Sequence, residues 1–120
     1  MRKEMQRTGS KWLTANICVY ADRILAKPDL QPLREEVAAW AGQNVRVSYN
    51  VANTTRDFIC FDLSLMTVSG GDSNKLNESQ YLDHICTIMP GFITGLVGED
   101  YKGYTEVFIR VGNHLCARLG

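Results

Sequence analysis

The chain has 120 residues, 45% of them apolar and 22% charged, which is enough for one packed core and too short for two comfortable ones. Thirteen basic residues balance thirteen acidic ones, so it lacks the basic excess with which a dedicated nucleic-acid binder neutralises phosphates. No stretch is long and apolar enough to span a bilayer as a helix, and no signal-peptide pattern is present; a cytoplasmic protein with neither membrane nor nucleic-acid partners is expected.

Residues 1–9 carry Arg2, Lys3 and Arg7 without periodicity and read as a flexible tail ahead of one domain over 10–120. Ser10 is placed to cap a helix, and Leu13, Ile17, Tyr20 and Ile24 recur at helical spacing until Pro28 ends the run. Asp29 and Pro32 suit the first turn of a second helix whose buried stripe is Leu30, Leu33, Val37 and Trp40, closed by Gly42. The period then becomes two. Val45, Val47, Tyr49 and Val51 alternate with Arg46, Ser48 and Asn50, Asn53 to Asp57 form a turn, and Ile59, Phe61, Leu63 and Leu65 share one face of the next strand.

Ser69 to Lys75 is a loop by composition, with Gly70-Gly71-Asp72 a flexible connection that matches no phosphate-binding pattern. Asn77 with Gln80 resembles a capping box opening a third helix through Leu82, Ile85 and Met89, broken at Pro90-Gly91. Phe92 to Val97 fits either a short strand or a last helical turn. A strand follows from Tyr104 to Val111. A three-residue connection, Gly112 to His114, would then put Leu115, Ala117 and Leu119 of a fourth strand on the same face as Val107, Ile109 and Val111.

The expected order is helix, helix, strand, strand, helix, strand, strand. This is an α+β fold, an antiparallel sheet of about four or five strands with two or three helices packed on it. Leu33–Leu63 and Leu82–Val111 each read helix–strand–strand, a repeat of layout and not of residues. The layout resembles the roadblock and profilin type of sandwich, in which helices cover an antiparallel sheet; that implies architecture alone. The core is expected to hold Leu13, Ile17, Leu33, Val37, Trp40, Val47, Ile59, Phe61, Leu63, Ile85, Val107 and Ile109.

Two patterns carry chemistry. The only two histidines each precede a cysteine by two, as His84/Cys86 and His114/Cys116. Two His and two Cys suit zinc, and a Cys–His pair suits nucleophilic catalysis, which makes a small enzyme or a ligand- or metal-binding domain the alternative function. Yet residues two apart on a helix diverge, no CxxC is present, and no nucleophile-elbow motif appears. The expectation is therefore no metal, no cofactor and four thiols at Cys18, Cys60, Cys86 and Cys116.

The other pattern is the second face of the sheet. Opposite the apolar residues stand Arg46, Phe58, Asp62, Met66, Tyr104, Glu106, Phe108 and Arg110, a mixture of aromatics, Met and opposite charges typical of interface cores. Either a helix covers this face or it binds a partner, another protein or a second copy. The functional expectation is a non-enzymatic protein-binding module (an adaptor, inhibitor or assembly subunit) acting through that face.

Overall fold

The structure, a computed structural model, describes residues 12–68 and 76–119. The expectations for the tail, for the Ser10 cap and for the Ser69–Lys75 loop lie outside the described residues.

The first element corrects the sequence reading. Trp12–Ala21 is a strand, β1, not a helix. Leu13, Ile17, Tyr20 and Ile24 do recur at helical spacing, but Ala15, Ile17 and Val19 also alternate, and these three are fully buried. Trp, Thr, Ile, Val and Tyr favour a pleated surface. A central strand is also partly covered on its second face by its neighbours, which blurs the polar alternation that marks an ordinary half-buried strand. Residues 22–30 then run irregularly, burying Ile24 and Leu30.

Helix α1, Gln31–Ala41, forms where expected. The Asp29 carboxylate accepts the Gln31 N–H at 3.1 Å, Leu33, Val37 and Ala41 are buried, and Gly42 ends the helix at φ +94°. Strands β2, Val45–Thr55, and β3, Phe58–Thr67, make a hairpin joined by Arg56 and Asp57 alone. The turn expected over 53–57 is shorter than that. A bulge between Val51 and Asn53 absorbs one residue, and the β-branched Thr54 and Thr55 stay paired with Ile59 and Phe58.

Helix α2, Glu78–Ile88, opens with the Asn77 side chain accepting the Gln80 N–H at 3.0 Å. It continues through a 3₁₀ turn, Met89–Phe92, into a single turn α3, Thr94–Val97, so the ambiguous stretch is helical. Strands β4, Thr105–Val111, and β5, His114–Leu119, close the chain.

The register of β5 is the second correction. Gly112 and Asn113 are the whole connection, and His114 pairs with Val111 and Cys116 with Ile109. Gly112 takes φ +61° as the first of two turn residues, the position where a tight hairpin of matching twist wants glycine. The turn geometry overrides the hydrophobic pattern because β5 is an edge strand whose Leu115 stays 60% exposed. Leu115 and Ala117 consequently share a face with Phe108 and Arg110.

The five strands form one antiparallel sheet in the order β2-β3-β1-β4-β5, with β1 between two hairpins. Leu33, Val37, Ile85, Met89, Leu96 and Val97 of the helical segments join Ile17, Phe61, Leu63 and Ile109 of the strands in one core. Ten of the twelve expected core residues are buried; Leu13 and Trp40 lie at the margin, half-buried. Tyr81 is enclosed in this layer, its hydroxyl donating to the Leu63 carbonyl at 2.8 Å. Burial pushes its pKa far up, so the hydroxyl remains a donor at any ordinary pH. The helices pack on this face. On the opposite face no described residue is buried.

Candidate functional site

The uncovered face is built row by row from the strand register. At one end Arg46, Met66 and Trp12 stand side by side on β2, β3 and β1. Below them Thr14 and Ser64 share a hydroxyl hydrogen bond at 3.0 Å. The middle row is Asn50, Asp62, Asn16, Arg110 and Leu115, in which the Asn16 amide donates to the Asp62 carboxylate. The next is Cys60, Cys18, Phe108 and Ala117. The last is Phe58, Tyr20 and Glu106.

Cys18 and Cys60 sit directly opposite each other, Cα atoms 4.2 Å apart, and are joined as a disulfide. This corrects the reading of four thiols; among the described residues Cys86 and Cys116 stand outside any disulfide. Two cysteines 42 apart in sequence give no hint of pairing until their strands are placed, and the misread first strand concealed it.

Beside the cystine lies an aromatic group. The Tyr20 ring is 4.7 Å from that of Phe58 and meets Phe108 edge-on at 5.7 Å. Tyr104, just ahead of β4, is 81% exposed, and Trp12 is 62% exposed at the far end. Such a concentration of exposed rings and aliphatic side chains on one face is unusual on a protein surface that meets only water.

At the Tyr20 end the face opens into a cleft of about 770 Å³. The aromatic residues Tyr20, Phe58 and Tyr104 and the acidic residues Asp22, Asp57 and Glu106 line it. Its walls are tied together by Tyr101, whose hydroxyl accepts the Asp22 N–H at 2.9 Å and donates to the Tyr104 carbonyl at 2.9 Å. Asp57 accepts a hydrogen bond from the Thr55 hydroxyl at 2.9 Å, and the Ala21 N–H donates to the Asp57 carbonyl at 3.2 Å.

All eight residues singled out in the sequence belong to this face: Arg46, Phe58, Asp62, Met66, Glu106, Phe108 and Arg110 on the strands, and Tyr104 at the cleft. Sequence reasoning missed its central column, Trp12, Asn16, Cys18 and Tyr20, and its outer edge, Leu115 and Ala117. The alternation of Ala15, Ile17 and Val19 was the available signal for the first. The Gly-Asn pair ahead of His114 was the signal for the second.

The two His–Cys pairs do not meet. His84 stacks on the Trp40 ring at 4.2 Å on the helical side, with Cys86 buried in α2. His114 at the start of β5 contacts Glu78 through Nδ1 at 3.1 Å, with Cys116 half-buried on the same strand. Among the described residues no three His, Cys, Asp or Glu side chains gather as a metal ion would require, and no helix is long and apolar enough to cross a membrane. Comparison of the chain with protein-family models, with curated proteins and with solved structures finds no match.

Proposed function

We propose that this chain is a non-enzymatic protein-binding module, an adaptor, inhibitor or assembly subunit, that docks another protein or a second copy on the open sheet face. The observation that carries the reading is the one-sided fold. The described helices pack against the other side of the sheet, while Trp12, Tyr20, Phe108 and Leu115 remain 62%, 44%, 39% and 60% exposed on this one. Opposite charges on the face, Asp62 and Arg110 in one row on either side of Asn16 and Glu106 at the Tyr20 end, give such a surface its orientation and selectivity. The proposed place of action is the cytoplasm, with no nucleic-acid or membrane partner, as charge balance and hydropathy suggest.

The test places a photo-crosslinking residue at position 108 in the source cell, with position 36 on the exposed side of α1 as control. Protein adducts at 108 are expected, self-adducts marking a second copy. The adducted protein, purified, should bind wild type and lose affinity for Phe108→Glu while the melting temperature stays within a few degrees. Adducts at 36 with none at 108, or a Phe108→Glu variant that no longer folds, would remove the reading.

A further inference from the structure

We infer that the cleft at the Tyr20 end of the face receives a Lys or Arg side chain of the docked protein, supplied by a basic segment of a different chain. The inference rests on the docking reading above and names the chemistry of its occupant.

Two independent properties of the cleft select a cation. The first is aromatic. Tyr20 packs on Phe58 at 4.7 Å, Tyr104 is 81% exposed, and all three aromatic residues line the same cavity. The quadrupole of such rings attracts a cation lying over them, guanidinium and ammonium groups alike. The second is charge. Asp22, Asp57 and Glu106 reach the same cavity, and none of its lining residues is basic. Among the described residues no hydrogen bond or ion pair engages the carboxylates of Asp22 and Glu106. Arg23, adjacent in sequence, is committed elsewhere: its Nε donates to the Val97 carbonyl at 2.7 Å and its Nη2 to Asp100 at 2.7 Å.

The size and place of the cleft agree with that occupant. A volume of about 770 Å³ is ample for a long side chain with its backbone, and the cleft opens onto the apolar row of Phe108 and the cystine. A segment whose basic residue enters the cleft can therefore lay its apolar neighbours on that row. The methylene stem of Lys or Arg suits the ring walls while its head reaches the carboxylates, which is how such side chains snorkel. Arginine is also enriched among the residues that dominate binding energy at interfaces.

The test selects peptides from a random library on the immobilised wild-type protein and measures the enriched sequences in solution. They should carry Lys or Arg. Replacing that residue by citrulline or norleucine should weaken binding about tenfold or more, and rising salt should weaken it further. The double variant Asp22→Asn, Glu106→Gln should lose about tenfold as well, and Phe58→Leu should lose affinity without unfolding. Enriched peptides without a basic residue, or equal binding to the double variant, would overturn the inference and leave the docking face intact. Arginine amide or choline binding as tightly as the peptides would make the cleft a small-cation site and overturn it too. Loss of self-association in place of peptide binding would assign the cleft to a second copy. Failure of every peptide to bind wild type better than Phe108→Glu would remove both the inference and the docking reading.

Discussion

The Tyr101 hydroxyl bonds both the Asp22 N–H and the Tyr104 carbonyl, and thus fixes two walls of the cleft with one oxygen. Both backbone groups are near water, so replacing them costs little: Tyr101→Phe should lower stability by about 1 kcal/mol. Its effect on the cleft should be larger, because beyond the last ladder pair, Ala21 with Thr105, no other described hydrogen bond ties residue 22 to residue 104. Amide exchange at Asp22 should quicken while that of Ile17 in β1 does not. Gly103→Ala should give the same exchange pattern by a different route, since an added Cβ would lie 2.4 Å from the Tyr101 hydroxyl oxygen and displace the ring. A neighbouring contact makes a pH prediction. The Arg23 guanidinium hydrogen-bonds Asp100 and holds its carboxyl below the usual range, with Asp100's own backbone and the Arg23 charge adding to the effect. The folded value is thus depressed relative to the unfolded one, so the pair contributes above the ordinary Asp value of about 3.9 and is lost as pH falls through the folded value. Asp100 is exposed, so the contribution to stability is small. The clean measurement is a carboxyl titration by NMR: Arg23→Gln should move the Asp100 midpoint upward toward the ordinary value.

Among the elements, β3 and β4 were legible because each buries every second residue along its length, and β2 because Val45 and Val47 alternate with polar residues, although Tyr49 and Val51 further along are exposed. The α2 cap was legible for a local reason, an Asn side chain three residues ahead of a Gln amide. β1 was not, because its identity as a strand comes from neighbours on both sides that lie 38 and more residues away. The β5 register was decided by a two-residue turn around Gly112, against the hydrophobic pattern that argued for the slip. The strand order also creates the cystine, and with it a prediction at this scale. A bond closing a loop of 42 residues restricts the unfolded chain, so reduction should cost roughly 2–4 kcal/mol. Thermal unfolding with and without reductant measures it, and a Cys18→Ala, Cys60→Ala double variant should melt like the reduced protein and ignore reductant. Thiol labelling in denaturant should find two groups, Cys86 and Cys116, before reduction and four after. Structural cystines persist mainly in oxidising compartments. The same count on protein taken from its own cell therefore bears on the proposed cytoplasmic location, and four thiols there would agree with it.

The described residues form a two-layer arrangement in which one side of the sheet makes the core and the other buries no described residue. The sequence identified the members of the second face without showing that it was uncovered, since the choice between a helix and a partner depends on how three helical segments distribute over two faces. Nor could it assemble the cleft: Asp22 and Asp57 stand in connections, and only the pairing of Tyr20 with Phe58 and with Glu106 brings their neighbourhoods together. The face assignment has a sharp consequence along β4, where consecutive residues point to opposite sides. Ile109 is fully buried, and Phe108 beside it is 39% exposed. Ile109→Glu removes a packed aliphatic side chain, worth about 2–5 kcal/mol, and adds the cost of an unpaired buried charge. Together these approach or exceed the 5–15 kcal/mol that typically separates folded from unfolded chains. Phe108→Glu puts a carboxylate where it can reach water, and forfeits the edge contact with Tyr20 and the partial cover beside Cys18 and Ala117. Introducing Glu along residues 105 to 111, where 106 is already Glu, should therefore alternate, unfolding the protein at 105, 107, 109 and 111 and leaving a cooperative melt at 108 and 110. Circular dichroism on each variant reads the pattern directly. Unfolding at 108 and 110 as well would mean that the second face is enclosed in the isolated chain, and the docking surface would have no place to be.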